Sequence, residues 1–463
     1  MKDEKLYDIL IIGAGPGGIY AAYEALTRDP SVRIAVLEQG DPLEKRRCPI
    51  VAGKTKKCIR CHTCSIMSGF GGAGAFSDGK YNITTAFGGV LADYLGQEET
   101  LSLINYVDTI NLSFLKDMAP VLFAPRSQRI AKKCLQNNLH LLDAKVRHLG
   151  TDNNYILLER IYEATREKVD YFFETRVEEI YPEKDAGFTV ETEKQEAFRA
   201  KNVIVSVGRS GSKWVEAFCR RHVIPVKSNR VDIGVRIELP AAIWAELTDE
   251  LYEGKIVYRS KTYEDNVRTF CMNPYGSVVA ENTNGIITVN GHSYEDPARQ
   301  TDNTNFALLV EKNFTEPFNN SNEYGEGIAR TSNMLGGGVL VQRFGDLIRG
   351  RRTNLSRLEK CTTRPTLAAT PGDLSLVMPK RILDDIVEMI YALDKVAPGT
   401  ANDDTLLYGV EVKFYNTKVE LDHNFEAGIP GLYFIGDCSG VTHSLSQAAA
   451  NGVYIARRLT PQE

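Results

Sequence analysis

The sequence lacks both a long apolar run and a strong excess of charge of either sign. None of its apolar stretches approaches the roughly 20 residues that a membrane-spanning helix needs, and residues 1–5 lead directly into a β-rich run rather than into a signal peptide. The net charge of -5 and the pI of about 5.9 argue against a nucleic-acid coat or a general membrane-surface binder. We therefore expect a cytoplasmic protein with no membrane span and no nucleic-acid partner.

Cysteine is scarce, with 9 residues in a chain of 463, and its distribution is uneven. Four cysteines fall between residues 48 and 64, and the other five are scattered. An odd count with this spacing does not fit the disulfide framework of a secreted protein. A reducing compartment, and a metal or redox role for the clustered thiols, fit better.

A glycine-rich turn near the start of the chain lies between a predicted strand and a predicted helix. The apolar run 6–12 leads into the turn, the helical pattern 19–27 follows it, and a second apolar run, 33–37, ends in an acid. Glycines in this context allow a tight turn and close approach of a pyrophosphate, the helix start faces the phosphates, and the acid binds ribose hydroxyls. The sequence therefore predicts a dinucleotide site at Gly13, Gly15, Pro16, Gly18 and Glu38.

The other end of the chain indicates which dinucleotide is bound. Residues 431–437 form a short apolar strand that ends in Gly-Asp, and the helical run 444–459 follows. This pattern resembles the closing motif of the glutathione-reductase-like flavoproteins, in which the aspartate binds the ribityl chain and the next helix points its N-terminus at the isoalloxazine. The resemblance implies FAD rather than NAD, with Gly436, Asp437 and Ser446 at the cofactor.

Two further segments resemble the same superfamily. Residues 171–177 are similar to the strand whose valine backbone, here Val177, meets the adenine, and residues 202–208 are similar to the strand that ends in a glycine, here Gly208, beside the cofactor. The sequence lacks a second strand-GxGxxG-helix unit, and no CxxC pair follows the first helix. These absences exclude a separate NAD(P)H domain and the disulfide-reductase pattern.

The clustered cysteines have the spacing of metal ligands. Three of them follow a CxxCxxC pattern, and a separate Cys-Pro precedes this pattern. Thiolates are soft ligands, and two-residue spacers let one loop wrap a cubane. We expect a 4Fe-4S cluster, and a structural zinc ion, a redox-active thiol pair and plain reduced cysteines are the alternatives. The predicted ligands are Cys48, Cys58, Cys61 and Cys64.

Basic residues surround these cysteines in an otherwise acidic protein. In residues 44–60, seven lysines and arginines stand against a single acid. A positive patch beside a redox cluster would steer an acidic carrier by long-range attraction. The segment 45–60 therefore predicts a docking site for a ferredoxin-like electron carrier, with a solvated basic loop as the alternative.

A second glycine-rich run, residues 69–80, follows the cysteines directly. Ser77 and Asp78 lie near its end and are predicted to face the flavin, with backbone-capping residues of a turn as the alternative. His148, in a predicted polar turn at 147–151, is a candidate acid or base, with a loop histidine of no chemical role as the alternative. The predicted cofactor contacts in the run are Gly71, Gly72, Ala73 and Ser77.

The order of predicted helices and strands indicates an α/β fold of two domains. Residues 1–80, 145–212 and 405–463 are assigned to a Rossmann-like FAD-binding domain, a parallel sheet with a β-meander, which carries the cysteine cluster. Helical patterns and β-branched runs occupy the remaining chain. Residues 81–144 and 213–404 are therefore assigned to a mixed-sheet α+β substrate or cap domain that interrupts the first.

Four segments of the chain together resemble one family. Segments 71–80, 268–274, 288–293 and 431–437 are similar to the family of uncharacterised FAD-dependent dehydrogenases. The resemblance spans nearly the whole chain. It implies an FAD flavoprotein, distantly similar to geranylgeranyl reductases and electron-transfer-flavoprotein dehydrogenases, and it fixes no substrate. Cys438 stands where the last motif usually has glycine.

The sequence thus predicts an FAD-dependent oxidoreductase. It would move a hydride or an electron pair between the flavin and a small organic substrate held by residues 213–404, with the iron-sulfur cluster relaying electrons from an external carrier. A flavin monooxygenase or halogenase that uses NAD(P)H and O2, and a tRNA-modifying flavoprotein, are the alternatives. The pI and the lack of interleaved aromatic and basic residues argue against the last. The substrate, the direction of electron flow, the donor and the oligomeric state are left open.

Overall fold

The computed structural model divides the chain into two compact units. The first comprises Met1–Phe123, Ala144–Lys227 and Tyr415–Glu463, and the second comprises Ala124–Asp143 and Ser228–Phe414. The structure describes residues 5–49, 52, 54–55, 59, 61–77, 79–118, 120–123, 127–142, 144–183, 187–251, 253–283, 285–293, 297–318 and 320–462. Two predicted site residues, Cys58 and Asp78, lie outside the described residues.

Strands and helices occur throughout both units. In chain order, the strands are β1 (Leu6–Ile12), β2 (Ile34–Leu37), β3 (Lys80–Ile83), β4 (Leu122–Phe123), β5 (Leu139–Leu141), β6 (Lys145–His148), β7 (Val169–Phe172), β8 (Val177–Pro182), β9 (Phe188–Thr192), β10 (Ala197–Val205), β11 (Val226–Lys227), β12 (Val231–Pro240), β13 (Ile256–Arg259), β14 (Asn266–Asn273), β15 (Ser277–Thr283), β16 (Ile286–His292), β17 (Asn303–Lys312), β18 (Leu340–Arg343), β19 (Thr370–Pro371), β20 (Leu406–Phe414), β21 (Lys418–Val419) and β22 (Leu432–Phe434).

The helices are distributed among these strands. They are α1 (Pro16–Arg28), α2 (Leu91–Leu95), α3 (Gln97–Phe114), α4 (Gln128–Leu135), α5 (Gly150–Thr165), α6 (Ser212–Arg221), α7 (Ala241–Leu251), α8 (Ser321–Gly336), α9 (Phe344–Ile348), α10 (Leu355–Glu359), α11 (Lys380–Asp394) and α12 (Leu445–Leu459). Within the described ranges, no helix has the length and apolar character to cross a membrane. The α/β class with mixed sheets that the sequence predicts is confirmed.

The main sheet of the first unit is parallel at its centre. In the order β7-β2-β1-β10 all neighbours are parallel, and β22 pairs with β10 in the same sense. Beyond β10 the sheet continues with antiparallel β9 and β8. β1 is an almost uninterrupted apolar run because both faces of a parallel sheet are buried. The carboxyl ends of the parallel strands share one edge, the place where open α/β sheets bind ligands.

Helices α1 and α12 both start near this edge, since they follow β1 and β22. Their backbones approach closely: a methyl group placed on Gly452 of α12 would lie 2.1 Å from the carbonyl oxygen of Gly17 in α1. Only glycine permits that distance. Ile11 of β1 packs on this helical layer, and Leu10 packs on the opposite side with α6.

The region that follows β3 also belongs to the first unit. The sequence assigned residues 81–144 to the substrate domain, whereas the structure places the part up to Phe123 in the first unit. The reason lies in contacts between α1 and α3: the Tyr20 hydroxyl donates to Asn111, and the Tyr106 hydroxyl donates to Glu24 at 2.8 Å. These partners are far apart in the chain, so local patterns do not reveal them.

The second unit is built on a mixed sheet in the order β19-β18-β20-β12-β17-β14-β13-β5. Its neighbours are antiparallel except β18 and β19, and the β15-β16 hairpin pairs separately. β12 alternates apolar residues, which join a core with α7 and α11, with polar or small ones, yet nearly all of it is buried. The polar side chains of β12 therefore need internal partners.

Arg236 of β12 and Glu411 of β20 form the central partnership of this polar face. Arg236 Nε and Nη2 each donate to Glu411 at 2.8 Å, and Nη1 donates to Asn305 at 2.9 Å and to the carbonyl oxygen of Cys271 at 3.0 Å. The Arg236 side chain is 0% exposed. Burial raises the pKa of the Glu411 carboxyl, and the neighbouring guanidinium opposes that rise. The guanidinium of Arg236 therefore donates its hydrogen bonds to groups within the second unit.

We predict that Arg236→Met destabilises the protein by about 3–5 kcal/mol, because it leaves the Glu411 carboxylate buried without a counter-charge. Urea unfolding followed by circular dichroism measures this loss. The matched control is Arg259→Met. Arg259 forms an ion pair with Glu264, and the two side chains are 69% and 71% exposed. The control should cost less than about 1 kcal/mol. Equal unfolding midpoints for the two variants would contradict the structural role of Arg236.

Candidate cofactor site

The turn between β1 and α1 leaves a helix start open. Gly13 has a φ of +102°, and a methyl group placed there would lie 2.4 Å from the carbonyl oxygen of Ser206. At Gly15, the N-cap of α1, no described atom lies within 4 Å of such a methyl group, and no described side chain caps the helix. The first N–H groups of a helix have no partners within the helix and carry partial positive charge. The turn can therefore accept an anion such as a phosphate.

Glu38 at the end of β2 holds three loops together. Its Oε2 accepts from the backbone N–H of Ala14 at 2.8 Å, and its Oε1 accepts from those of Gly40 and Gly69, each at 2.9 Å. The residue is 5% exposed. An ionised carboxylate offers about four lone-pair positions. The three amides leave room for one more donor, such as a ribose hydroxyl.

The predicted adenine strand lies beside Glu38, but it is not one strand. The sequence predicts a single strand over 171–177, whereas the structure has β7, a turn and then β8, which begins at Val177. The turn forms because the backbone N–H of Glu174 donates to Gly40 at 3.0 Å and that of Thr175 donates to Glu38 at 2.9 Å. Val177 is therefore two residues from a direct contact with Glu38.

The second glycine-rich run lies between the starts of α1 and α12. The N–H of Gly71 donates to the Ala14 carbonyl oxygen at 2.8 Å. A methyl group placed on Gly72 would lie 3.1 Å from the Cα of Gly15, and one on Gly74 would lie 3.5 Å from Pro16 and 2.7 Å from Leu445, the first residue of α12. Ala73 lies in the short helical turn Gly72–Phe76. The run thus contacts the starts of both helices.

Arg46 fixes the chain that leads into this run. Its guanidinium donates to the carbonyl oxygens of Ser65, Ile66 and Phe70, at 3.0, 2.9 and 2.6 Å. It is 4% exposed, and this burial lowers its pKa to about 10. The sequence counted Arg46 among the basic residues of segment 45–60. In the structure it is an internal support, so the patch available to a carrier is smaller than predicted.

Two of the three predicted catalytic residues, Ser77 and His148, lie among the described residues. The Ser77 hydroxyl donates to the Gly74 carbonyl oxygen at 2.7 Å and accepts from the N–H of Gly79 at 3.3 Å, which is the geometry of a turn cap. Asp78 lies outside the described residues. His148 ends β6, paired with Lys80 of β3, so it lies on a strand rather than in the predicted turn.

The closing motif lies beside the strand end at Gly208, another predicted cofactor residue. Gly208, with a φ of +62°, and Gly436, with a φ of +70°, are both open: no described atom lies within 4 Å of a methyl group on Gly208, and only Ser206 Oγ, at 3.5 Å, does so for Gly436. Asn416 joins the two segments, since its Nδ2 donates to the carbonyl oxygens of Asp437 at 2.8 Å and Gly208 at 3.4 Å. The side chain of Asp437 is 26% exposed.

The start of α12 carries hydroxyl groups that need partners. Ser444 caps the helix by accepting from the N–H of Gln447 at 3.3 Å. Thr442 and Ser446 are 0% and 1% exposed, and their hydroxyls have no hydrogen-bond partner among the described residues. Buried polar groups are nearly always satisfied by protein, water or ligand. This end of the helix therefore suits a ligand with polar atoms.

The cysteine segment does not form a recognisable metal site in the described chain. Cys48 is half-buried, Cys61 and Cys64 are exposed, and Cys58 lies outside the described residues. Elsewhere, too, the described ranges contain no group of three His, Cys, Asp or Glu side chains that could hold a metal ion. Cys438 is a packing residue: its thiol donates to two carbonyl oxygens, and burial raises its pKa to about 12.

Sequence patterns missed Arg46, Asn416 and Thr442. Arg46 and Asn416 donate hydrogen bonds to carbonyl groups, and Thr442 is buried. These features depend on contacts between distant segments. Its place just before the cysteines does not reveal the role of Arg46, because the sequence does not show that the residue is buried. No local signal marks Asn416 as the link between Gly208 and Asp437.

We predict that Glu38→Gln lowers the stability of the cofactor-free protein by about 1–3 kcal/mol, because an amide N–H then faces the N–H of Ala14 and one buried donor loses its acceptor. Thermal unfolding without added cofactor measures the effect. Glu193→Gln is the matched control, since the Glu193 side chain is 49% exposed and pairs with Arg176 only at 3.5 Å. A control that loses as much stability as Glu38→Gln would contradict this interpretation.

Comparison with known proteins supports the cofactor class for one part of the chain. Residues 231–414 match the family model described as "FAD-dependent protein, C-terminal domain-like". The match covers less than half of the chain and falls within the second unit. That unit is therefore similar to the C-terminal domain of an FAD-dependent protein. No curated protein matches the chain.

Several solved structures show a weak likeness to the whole chain. PqsL of P. aeruginosa in complex with 2-aminobenzoylacetate is 12% identical, with 98% of this chain and 85% of that chain covered and a TM-score of 0.41. Glycine oxidase from Geobacillus kaustophilus is 11% identical, with coverages of 99% and 95% and a TM-score of 0.41. A mutant of E. coli quinol fumarate reductase FrdA is 16% identical, with coverages of 98% and 70% and a TM-score of 0.41. At these scores the likenesses support no statement about activity.

Proposed function

We propose that the protein is an FAD-dependent oxidoreductase that moves a hydride or an electron pair between bound FAD and a small organic substrate. The observation that carries this proposal is the convergence of two helix starts, α1 and α12, on one glycine-rich run at residues 71–76. A long cofactor with an anionic centre and a polar ring fits such an arrangement, because each helix start can bind one part of it. The family match of residues 231–414 supports the same cofactor independently.

The adenosine half of FAD is assigned to the α1 end of the site. The open space at Gly15 and the free N–H groups of α1 suit the pyrophosphate. The remaining lone pair of Glu38 suits a ribose hydroxyl, and the strand that starts at Val177 begins two residues after Thr175, whose N–H donates to the Glu38 carbonyl oxygen. These are the groups that the dinucleotide fingerprint requires.

The flavin half is assigned to the α12 end. Gly208 and Gly436 leave space for a ligand, Asp437 is partly exposed, and Ser446 offers a buried hydroxyl without a partner in the described chain. When bound, FAD would supply the hydride or electron-pair chemistry. The chain's own residues bind it and orient it, and Gly71, Gly72 and Ala73 would line the space between its two halves.

The substrate is proposed to be held by residues 213–404. The polar face of the second unit is not itself a free anion site, because Arg236 is already saturated by Glu411 and Asn305. Oxygen-dependent chemistry and tRNA modification have no supporting observation in the described residues. Anaerobic reduction of the bound flavin by a ferredoxin or by NAD(P)H would identify the donor class, and oxygen uptake coupled to NAD(P)H oxidation would favour a monooxygenase.

We predict that Gly15→Ala weakens FAD binding about 10- to 100-fold, because its methyl group would move the phosphate away from the N–H groups of α1 at a cost of about one charge-assisted hydrogen bond. The methyl group would enter space that no described atom occupies, at a φ of -80°, so the cofactor-free fold should be unaffected. Quenching of flavin fluorescence on titration with FAD measures the affinity, and circular dichroism checks the fold.

The matched control for this experiment is Gly327→Ala. Gly327 is exposed in α8 of the second unit, and a methyl group there also meets no described atom within 4 Å. Its affinity for FAD should equal that of the unaltered protein. Failure of the unaltered protein to bind FAD would refute the proposed function, and an unchanged affinity in Gly15→Ala would refute the placement of the pyrophosphate.

A metal centre at Cys48, Cys58, Cys61 and Cys64 is a separate proposal that rests on spacing alone. It predicts about four iron atoms per chain and a broad iron-sulfur absorption in protein purified without oxygen; about one zinc ion would indicate the structural alternative. Cys61→Ser should lose the metal, whereas Cys271→Ser, at a half-buried cysteine of the second unit, should retain it. Protein free of both metals would exclude the electron relay.

A further inference from the structure

The start of α12 contains more polar groups than the helix itself uses. Thr442 and Ser446, with 0% and 1% exposure, both keep a hydroxyl without a partner among the described residues. The helix has 15 residues, so the dipoles of its peptide groups add up to a partial positive charge at its N-terminus. Two buried hydroxyls at one helix start indicate a ligand that presents hydrogen-bonding atoms there.

His443 lies between these two hydroxyls in the sequence and is fixed from both sides. Its backbone N–H donates to the Gly88 carbonyl oxygen at 2.8 Å. Its ring meets the edge of the Tyr415 ring, with 4.5 Å between centroids and 71° between planes. Tyr415 is 3% exposed, so it provides a rigid support. The backbone and the ring of His443 are therefore each in contact with a neighbouring segment.

The loop that holds His443 is itself locked to α12. Gln447 donates through Nε2 to the Phe87 carbonyl oxygen at 3.1 Å and accepts through Oε1 from the N–H of Leu91 at 3.4 Å. A methyl group on Gly88 would lie 2.6 Å from Ser444 Oγ, so this approach requires glycine. Residues 87–91 and the start of α12 thus form one rigid frame around the histidine.

The position of α12 indicates which part of the ligand meets this frame, and here the inference rests on the proposed function. The other helix start, α1, follows β1 and lies beside Glu38, the pattern that binds the adenosine half of a dinucleotide. The glycine-rich run contacts both helix starts. The far half of the cofactor, the flavin ring, is then left for α12.

We propose that His443, together with the hydroxyls of Thr442 and Ser446, hydrogen-bonds the flavin ring and sets its reduction potential. Two-electron reduction adds negative charge to the ring. N–H and O–H donors beside a positive helix end stabilise that charge more than they stabilise the oxidised ring. The histidine acts by holding a donor at the ring, and Tyr415 and Gly88 position it.

The test uses the full chain loaded with FAD and compares His443→Leu with His443→Gln, which keeps a side-chain N–H donor. The readouts are the FAD affinity, the visible absorption of the bound flavin and its midpoint potential. We expect His443→Leu to shift the potential to more negative values, to alter the flavin spectrum and to weaken FAD roughly two- to tenfold, the range for one hydrogen bond. His443→Gln should keep most of the original potential, spectrum and FAD affinity. Thr442→Val, which removes only a hydroxyl, should shift the potential in the same direction.

Controls separate this inference from the proposed function. His140→Leu, at an exposed histidine on β5, should change none of the three readouts. If unaltered protein binds no FAD, the proposed function fails and this inference fails with it. If FAD binds normally but the leucine variant keeps the original potential and spectrum, only the inference about His443 fails. Should the leucine variant not fold, an unchanged potential in Thr442→Val would overturn it.

Discussion

The close approach of α1 and α12 at Gly17 and Gly452 is the contact on which the candidate site depends. Because a methyl group on Gly452 would lie 2.1 Å from the Gly17 carbonyl oxygen, no other residue fits at position 452. The approach brings two helix starts to one glycine-rich run. Two positive helix ends close together are unfavourable unless a negative group lies near them. The pyrophosphate of the proposed FAD would supply that charge, which would link the packing of the helices to the choice of ligand.

Local patterns were sufficient for elements whose cause is local. The apolar run 6–12 of the sequence is β1, residue for residue, because a strand buried on both faces is mainly apolar, here with Asp8 as the exception. The helix after the glycine turn and the strand before Glu38 follow from the same kind of signal. The split of 171–177 into β7 and β8 could not be predicted, since it depends on two hydrogen bonds to residues 38 and 40. The same holds for residues 81–123, whose place follows from contacts with α1.

Charged residues show a second limit of sequence reasoning: composition counts charges but not their burial. Arg46 and Arg47 look equivalent in the chain, yet Arg46 is inside, bonded to three carbonyl oxygens, and Arg47 is exposed. Glu38 was singled out from its place after a predicted strand, but its three backbone partners are invisible in the sequence. In both cases the structure needs the charge to organise loops. A ligand can bind only to the hydrogen-bonding positions that the loops do not use.

The two lines of support for FAD are independent because they concern different residues. The family match covers residues 231–414, and every residue assigned to the cofactor, from Gly13 to Ser446, lies outside that range. The match therefore does not derive from the glycine turn, from Glu38 or from the start of α12. Conversely, the geometry of those groups owes nothing to the second unit, whose central arginine is satisfied internally. Two unrelated parts of one chain indicate the same cofactor, which neither part would establish alone.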